Sequence, residues 1–255
     1  MNTPDLIHAD FSQRVVDLET DAIWLPSPAL GIHRRMLDRV GAEIARATSV
    51  VRYNAGTRFD RHVHGGGEEI LVLDGVFSDQ SGDYPAGSYL RHPAGSAHAP
   101  FSVDGCTILV KLWQFVPEDQ QTLRIFTHAF SEQQTSSLKT INLQPCEEWH
   151  EHEDIAGVMV LSLHCYDGIK TALQRWPAHT PVQVLDHVGG FEAYVLEGVW
   201  HDQQHCYPVG TWIRLPVGSQ QQAFTQDEGA LLYVKMGHLT ERRLQIEMTL
   251  LAAVE

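Results

Sequence analysis

Cysteine and basic residues are scarce in this chain, and each scarcity excludes function classes before any motif is read. Four Cys (Cys106, Cys146, Cys165 and Cys206) are dispersed over 255 residues with no C-x-x-C pair. That argues against a cysteine-based zinc module and against a compact disulfide scaffold, and fits a reducing compartment. Lys and Arg number 18 against 32 Asp and Glu, for a formal net charge of −14. So acidic a surface repels phosphate backbones and anionic lipid, which makes nucleic acid and membrane poor partners. No apolar run approaches the ~20 residues needed to span a bilayer. The opening residues carry neither the basic nor the apolar segment of a secretory signal, so a cytoplasmic location is expected. A Ser–His–Asp signature, a phosphate-binding glycine loop and a nucleotide fingerprint are missing as well.

What the chain has in abundance is histidine, 15 residues of it, and an internal repeat. Shifting the sequence by 123 positions superposes Gly75 on Gly198, Asp79 on Asp202, Tyr84 on Tyr207, Arg91 on Arg214, Pro93 on Pro216 and Gly95 on Gly218 without a gap. A fixed-offset duplication in a chain of this length implies two domains, each large enough to bury its own core. We expect an N-terminal domain over 1–127 that includes a leading strand within Asp10–Glu19, a linker over 128–145, and a C-terminal domain over 146–255. The last segment, Glu241–Val254, reads as a helix whose packing face carries Leu244, Met248 and Leu251. Gly and Pro punctuate short runs rich in Val, Ile, Leu and aromatics, among them Ser49–Tyr53, Ile70–Leu73, Thr107–Leu112 and Leu231–Met236. This is the pattern of an all-β sandwich or barrel.

The chemistry concentrates in the first repeat. His62, His64 and Glu68 share even parity, so an uninterrupted strand would aim all three side chains at one face. Glycines 65–67 could host a bulge that offers Glu69 instead. The second repeat decides between them: His62 becomes Leu185, Glu68 becomes Phe191 and His98 becomes Gln221, whereas Glu69 persists as Glu192. Glu68 therefore groups with the three His as a ligand set, and Glu69 takes a scaffold role. His64 alone keeps its counterpart, His187. Three neutral imidazoles and one carboxylate suit a divalent first-row ion, Fe²⁺ or Zn²⁺, with Mn²⁺, Ni²⁺ and Cu²⁺ also compatible. Four protein ligands close a tetrahedral zinc site but leave positions free on an octahedral ion. In the second half Leu185 and Phe191 are expected to fill the vacated space, leaving that domain metal-free. The pair His150-x-His152 has no identifiable remote partner and reads as a solvated segment. His92 reads as an outer neighbour of the ligands or a surface group.

Gly56-x5-His62-x-His64-x3-Glu68-x6-Gly75 and Gly87-x5-Pro93-x-Gly95-x2-His98 resemble the two cupin motifs. The text around them is similar to the ChrR-like cupins, named for the C-terminal domain of a zinc-binding anti-sigma factor. The resemblance covers about residues 10–240 and implies tandem double-stranded β-helix (jelly-roll) barrels, a bicupin. It carries His62, His64, Glu68 and His98 over as metal ligands in the first barrel. Anti-sigma activity is not implied, because the roughly fifty residues before the barrel hold His8 and His33 but no Cys. Two functions remain open from the resemblance. One is a metal-dependent enzyme, an Fe²⁺ dioxygenase type acting on a small oxygenated molecule. The other is a zinc-stabilised sensor or regulatory binding module without catalysis. A small-molecule ligand and a homodimer are expected by analogy.

Overall fold

The computed structural model describes residues 5–129 and 148–254, and among these it is all-β apart from a 3₁₀ turn and one α-helix, Glu241–Ala252. Two compact units share the chain.

In the first unit an antiparallel sheet runs Asp5–Ile7, Ile32–Gly41, Ala45–Tyr53, Cys106–Leu112, Glu68–Asp79, Ser88–His92 and Leu123–Phe126. Alternation along Glu68–Asp79 fixes its faces. Ile70 and Val72 join Ile32, Val51, Tyr53, Leu90, Ile108 and Val110 in one apolar cluster inside the barrel. The row that ends the apolar stack, Leu112–Glu68–His92, continues on the same inward face. On the opposite face Lys111, Glu69 and Arg91 stand side by side, all buried. Tyr89 donates to Glu69 at 3.1 Å, and Arg91 forks onto Asp119 at 2.7 and 3.1 Å. Gly75 interrupts the strand at φ +69, where a Cβ would sit 2.3 Å from the Gly105 carbonyl oxygen. Only glycine fits there, and the register shifts beside it.

The second unit repeats this plan over His150–Glu151, Met159–Tyr166, Ile169–Trp176, Ser219–Met236, Phe191–His201 and Trp212–Leu215. Its own apolar cluster centres on Trp176, Trp200, Tyr207, Ile213 and Leu232. The scaffold role expected of Glu69 has its twin in Glu192, which accepts from Trp212 Nε1 at 2.6 Å and lies 3.1 Å from His238 Nε2. Register now matches positions that the ungapped repeat could not. Val72 stands opposite Ile108, then Val51, then Arg34. From Val195 the same count passes Leu232 and Gln174 to reach Val160. Arg34 and Val160 are therefore equivalent, and by the same rule Tyr53 is equivalent to Trp176.

The expected division of the chain differs from the observed one at both ends. The leading strand, Val15–Asp17, belongs with the second unit, where it pairs with Trp212–Leu215 as its edge strand. Arg14 there donates to Asp202 at 2.9 Å, and the Arg214 guanidinium donates to the Asp10 carbonyl. Conversely, residues 245–252 of the terminal helix belong with the first unit, where Glu247 accepts from the buried Arg46 at 2.6 Å. Hydrophobic periodicity could not assign either segment, because charged side chains anchor both. The helix face is polar for the same reason: Arg243 and Glu247 are buried beside Leu251, while Leu244 and Met248 are only half-buried. Apart from residues 128 and 129, the expected linker lies outside the described residues. Among the described residues Cys106, Cys165 and Cys206 are unbridged.

The Asp202 side chain is wholly buried, and Arg14 is its salt-bridge partner at 2.9 Å. Arg14→Gln should lower the unfolding free energy of the second unit by about 1–3 kcal/mol, the usual cost of losing a charge-assisted hydrogen bond. Urea unfolding followed by tryptophan fluorescence measures this, since Trp176, Trp200 and Trp212 are all buried in that unit.

Candidate metal centre

Four short pieces of backbone bring the predicted ligands together. His62 sits opposite His98 in a two-residue pairing of His62–Val63 with Ala97–His98. His64 is tied to the second motif's turn, donating its amide to the Ser96 carbonyl and accepting from Gly95 N–H. Glu68 opens the long strand Glu68–Asp79. Glycines 65 and 66 pass beneath the Trp113 ring, and a Cβ on Gly66 would lie 2.2 Å from it. The three-glycine run is therefore a close-packing device rather than a parity-changing bulge, and Glu68 remains inward. All four predicted residues converge: one potential ligand atom from each of His62, His64, Glu68 and His98 lies within 4.8 Å of every other.

Hydrogen bonding fixes which ring nitrogen each histidine presents. His62 Nδ1 faces the Asp60 carbonyl at 3.0 Å, so it must carry the proton and donate. Ser96 gives its only hydroxyl proton to the Pro93 carbonyl, which leaves its oxygen to accept from His64 Nδ1 at 3.0 Å. Nε2 is thereby the free lone pair on both rings. His98 turns Nδ1 toward Asp79 Oδ2 at 3.6 Å and Nε2 toward Glu68 Oε2 at 3.2 Å. His64 Nε2 approaches the same Glu68 oxygen at 3.3 Å.

This cluster is electrically incomplete. Burial pushes His64 down to about 4, so its imidazole is neutral at physiological pH. Burial also lowers His98, but the carboxylates of Asp79 and Glu68 outweigh it and hold that ring protonated up to about 9. Burial raises Glu68, yet His98 and His64 bring it down to about 2. One proton on His98 is the only positive charge between two buried carboxylates. Moreover His64 Nε2, Glu68 Oε2, His98 Nε2, His98 Nδ1 and Asp79 Oδ2 are buried without any hydrogen-bond partner among the described residues. Each such atom costs about 1–3 kcal/mol. A divalent cation at the centre satisfies the inward-facing ones at once, and the residues fit it.

The second barrel shows what the same positions do without that chemistry. Gln221, in place of His98, accepts at 3.2 Å from His187 and donates at 3.1 Å to Asp202, the twin of Asp79. Arg14 completes the chain, and none of these four residues has an orphaned buried side-chain atom. Phe191, in place of Glu68, stacks on His187 at 4.4 Å. The vacated space is not filled as expected, however. A cavity of about 580 Å³ persists, and His150, His152, Asp154 and Lys170 line it. The segment read as solvated thus borders a pocket, although no three metal-ligating atoms meet there among the described residues.

Two residues outside the predicted ligand set take part in the site. Of the two readings of His92, the outer neighbour of the ligands is the one observed: it is buried opposite Glu68, with its ring 4.8 Å from that of His98 and 5.4 Å from that of His64. With Asp79 and His98 it forms a second candidate trio. Its loss to Leu215 in the repeat, parallel to the loss of the ligands, was the available signal. Asp79 was matched by the repeat but could not be tied to His98 without the fold. Trp113 is the third surprise: it adopts φ +59, where its register counterpart in the second barrel is Gly237 at φ +80. Each donates its amide to an equivalent glycine carbonyl, of Gly67 and Gly190. A left-handed conformation in a non-glycine residue costs roughly 1–2 kcal/mol, and the ring it places lines the metal cavity.

Known proteins agree with this architecture. The ChrR cupin-like domain family matches residues 12–116 and again residues 140–240. No curated protein matches the sequence. Among solved structures, a candidate dioxygenase from Nostoc punctiforme superposes with a TM-score of 0.66 at 14% identity, over 90% of this chain and 85% of that one. The Escherichia coli pirin YhhW in complex with nickel(II) gives 0.59 at 10% identity, over 88% and 99%. Oxalate decarboxylase from Bacillus subtilis gives 0.53 at 13% identity, over 88% and 76%.

Two outcomes follow from the electrostatics. Because the incoming cation must displace the His98 proton, apparent metal affinity should rise about tenfold per pH unit below 9; competition with a chelator between pH 6 and 8 measures the slope. Asp79→Asn removes the carboxylate behind His98 and should weaken binding by about 10–100-fold.

Proposed function

This chain belongs to the ChrR cupin-like family, and from that premise we propose that its first barrel is a metal-dependent enzyme of the iron dioxygenase type, acting on a small oxygenated molecule. The observation that carries the reading is the cavity of about 340 Å³ onto which His62, His64 and Glu68 open. A metal with only a structural task needs no such space, whereas small-ligand sites have volumes in this range. Held by His62, His64, Glu68 and His98, a divalent iron ion would supply Lewis acidity and the redox capacity that O₂ chemistry requires.

The chain's own residues supply the rest. Ile32, Val51, Ile108, Val110 and Leu112 give the cavity a dry, apolar wall that strengthens every polar contact made inside it. Tyr53 is the member of the inner cluster that brings a hydroxyl to the cavity lining. Burial, and secondarily the Glu68 charge, raises its phenol far above the ordinary range, so it keeps its proton and acts as a hydrogen-bond donor. A substrate oxygen reaching the cavity floor would find that donor. The fold-level likeness to the Nostoc candidate dioxygenase is consistent with this reading and supports it no further than fold.

Untagged protein should carry about one ion per chain, as a single ligand quartet allows. Elemental analysis is paired with oxygen-electrode assays on small enolisable diketones and oxo-acids. Iron content together with oxygen uptake that His98→Ala abolishes is the expected result. Stoichiometric zinc with no oxygen uptake, even after exchange into iron, would replace the enzyme by the zinc-stabilised binding module.

A further inference from the structure

We propose that Arg34 is the anion anchor of the first barrel's cavity, and that the ligand is a small monoanion, a carboxylate or enolate with a flat apolar body. The inference rests on reading this cavity as the ligand site, and it names the substrate class that the reading leaves open.

Arg34 lies in the strand Ile32–Gly41, on the same inward face as Val51, Ile108 and Val72. It lines the cavity that holds His62, His64 and Glu68. A guanidinium directed into an apolar barrel is expensive unless its donors are used. Here Nε is buried and has no hydrogen-bond partner among the described residues. Among the described residues that line the cavity, Arg34 is the one Lys or Arg, and the acidic residue besides Glu68, Glu43, is exposed. With a divalent ion on the quartet, Arg34 and the ion together outweigh the Glu68 and Glu43 carboxylates. The loaded cavity therefore attracts an anion, and the planar fork of arginine matches a carboxylate or enolate oxygen pair.

The second barrel supplies an independent comparison. At the position equivalent to Arg34 it has Val160, which also lines its cavity, and the strand folds no less regularly there. The sheet does not need a cation at this point. Arginine occurs in the barrel that holds the metal ligands and is replaced in the barrel that has lost them. Trp113 follows the same rule, being replaced by Gly237, although glycine suits its left-handed backbone better. Its ring covers glycines 65 and 66 and forms one wall of the cavity. Two residues that the fold does not require thus define a charged end and a flat wall.

The test is calorimetric binding to zinc-loaded protein, which reads the ligand site without any turnover. Benzoate and its neutral isostere benzamide are the probes. Wild type should prefer benzoate by about tenfold or more, as for a charge-assisted pair out of water. Arg34→Val should erase the preference, Arg34→Lys should keep part of it, and Trp113→Gly should weaken both probes alike. The Val and Gly variants reproduce what the second barrel already folds with, and zinc stoichiometry and melting curves confirm that each is intact. A preference that survives in Arg34→Val would assign anion binding to the metal and overturn the proposal, as would wild-type protein that does not bind benzoate. A preference lost with Arg34 in protein that shows no oxygen uptake would sink the oxygenase reading alone and leave the anion anchor standing.

Discussion

A carboxylate buried among imidazoles is tolerable only if something positive shares the space, and this constraint organises the first barrel. Glu68 lies 3.2 and 3.3 Å from the Nε2 atoms of His98 and His64, at the end of the apolar cluster formed by Ile32, Val51, Ile70, Val72, Ile108 and Val110. A single proton on His98 is a poor substitute for a cation, because it leaves His64 Nε2 and a Glu68 oxygen without partners. The surrounding structure is arranged for a larger charge. Ser96 and the Asp60 carbonyl fix two tautomers, Asp79 backs the third ring, and the glycine run lets Trp113 press on the loop between His64 and Glu68.

The duplication turns this argument into a controlled comparison. Both barrels retain the aspartate at the end of the long strand, the serine that donates to a proline carbonyl, and a histidine beside it. In the first, Asp79 faces an imidazole whose other nitrogen points into the site. In the second, Asp202 accepts from an amide, and its surplus charge is met by Arg14 from the chain's own leading segment. Losing the ligands therefore required more than apolar replacements. The retained aspartate had to find another donor, and the strand that brings Arg14 supplies it. A cavity nonetheless persists there, larger than the first, so the second barrel has lost the ligand set without losing its mouth.

The legible part of the structure consists of features in which neighbouring positions carry the information. Strand alternation exposed the inward parity of His62, His64 and Glu68, and the ungapped repeat separated Glu68 from Glu69 by showing which glutamate outlived the others. His92 was equally legible through Leu215, had the same comparison been extended by one residue. The assignment of Val15–Asp17 and of the terminal helix was not legible. Their anchors, Arg14 with Asp202 and Glu247 with Arg46, join residues 188 and 201 positions apart. Nothing local distinguishes such charges from solvated ones.

By itself the sequence determined the fold class, the duplication and the four residues that can grip a metal, because periodicity, turn chemistry and ligand spacing are short-range properties. Only the tertiary structure decided how the ends of the chain are shared between the units, which ring nitrogens face inward, and that Arg34, Tyr53 and Trp113 border the same space as the ligands. Those relations depend on cross-strand register. Sheets bring together residues far apart in the chain, and a bulge such as that at Leu73 shifts the pairing in ways that strand alternation alone does not carry.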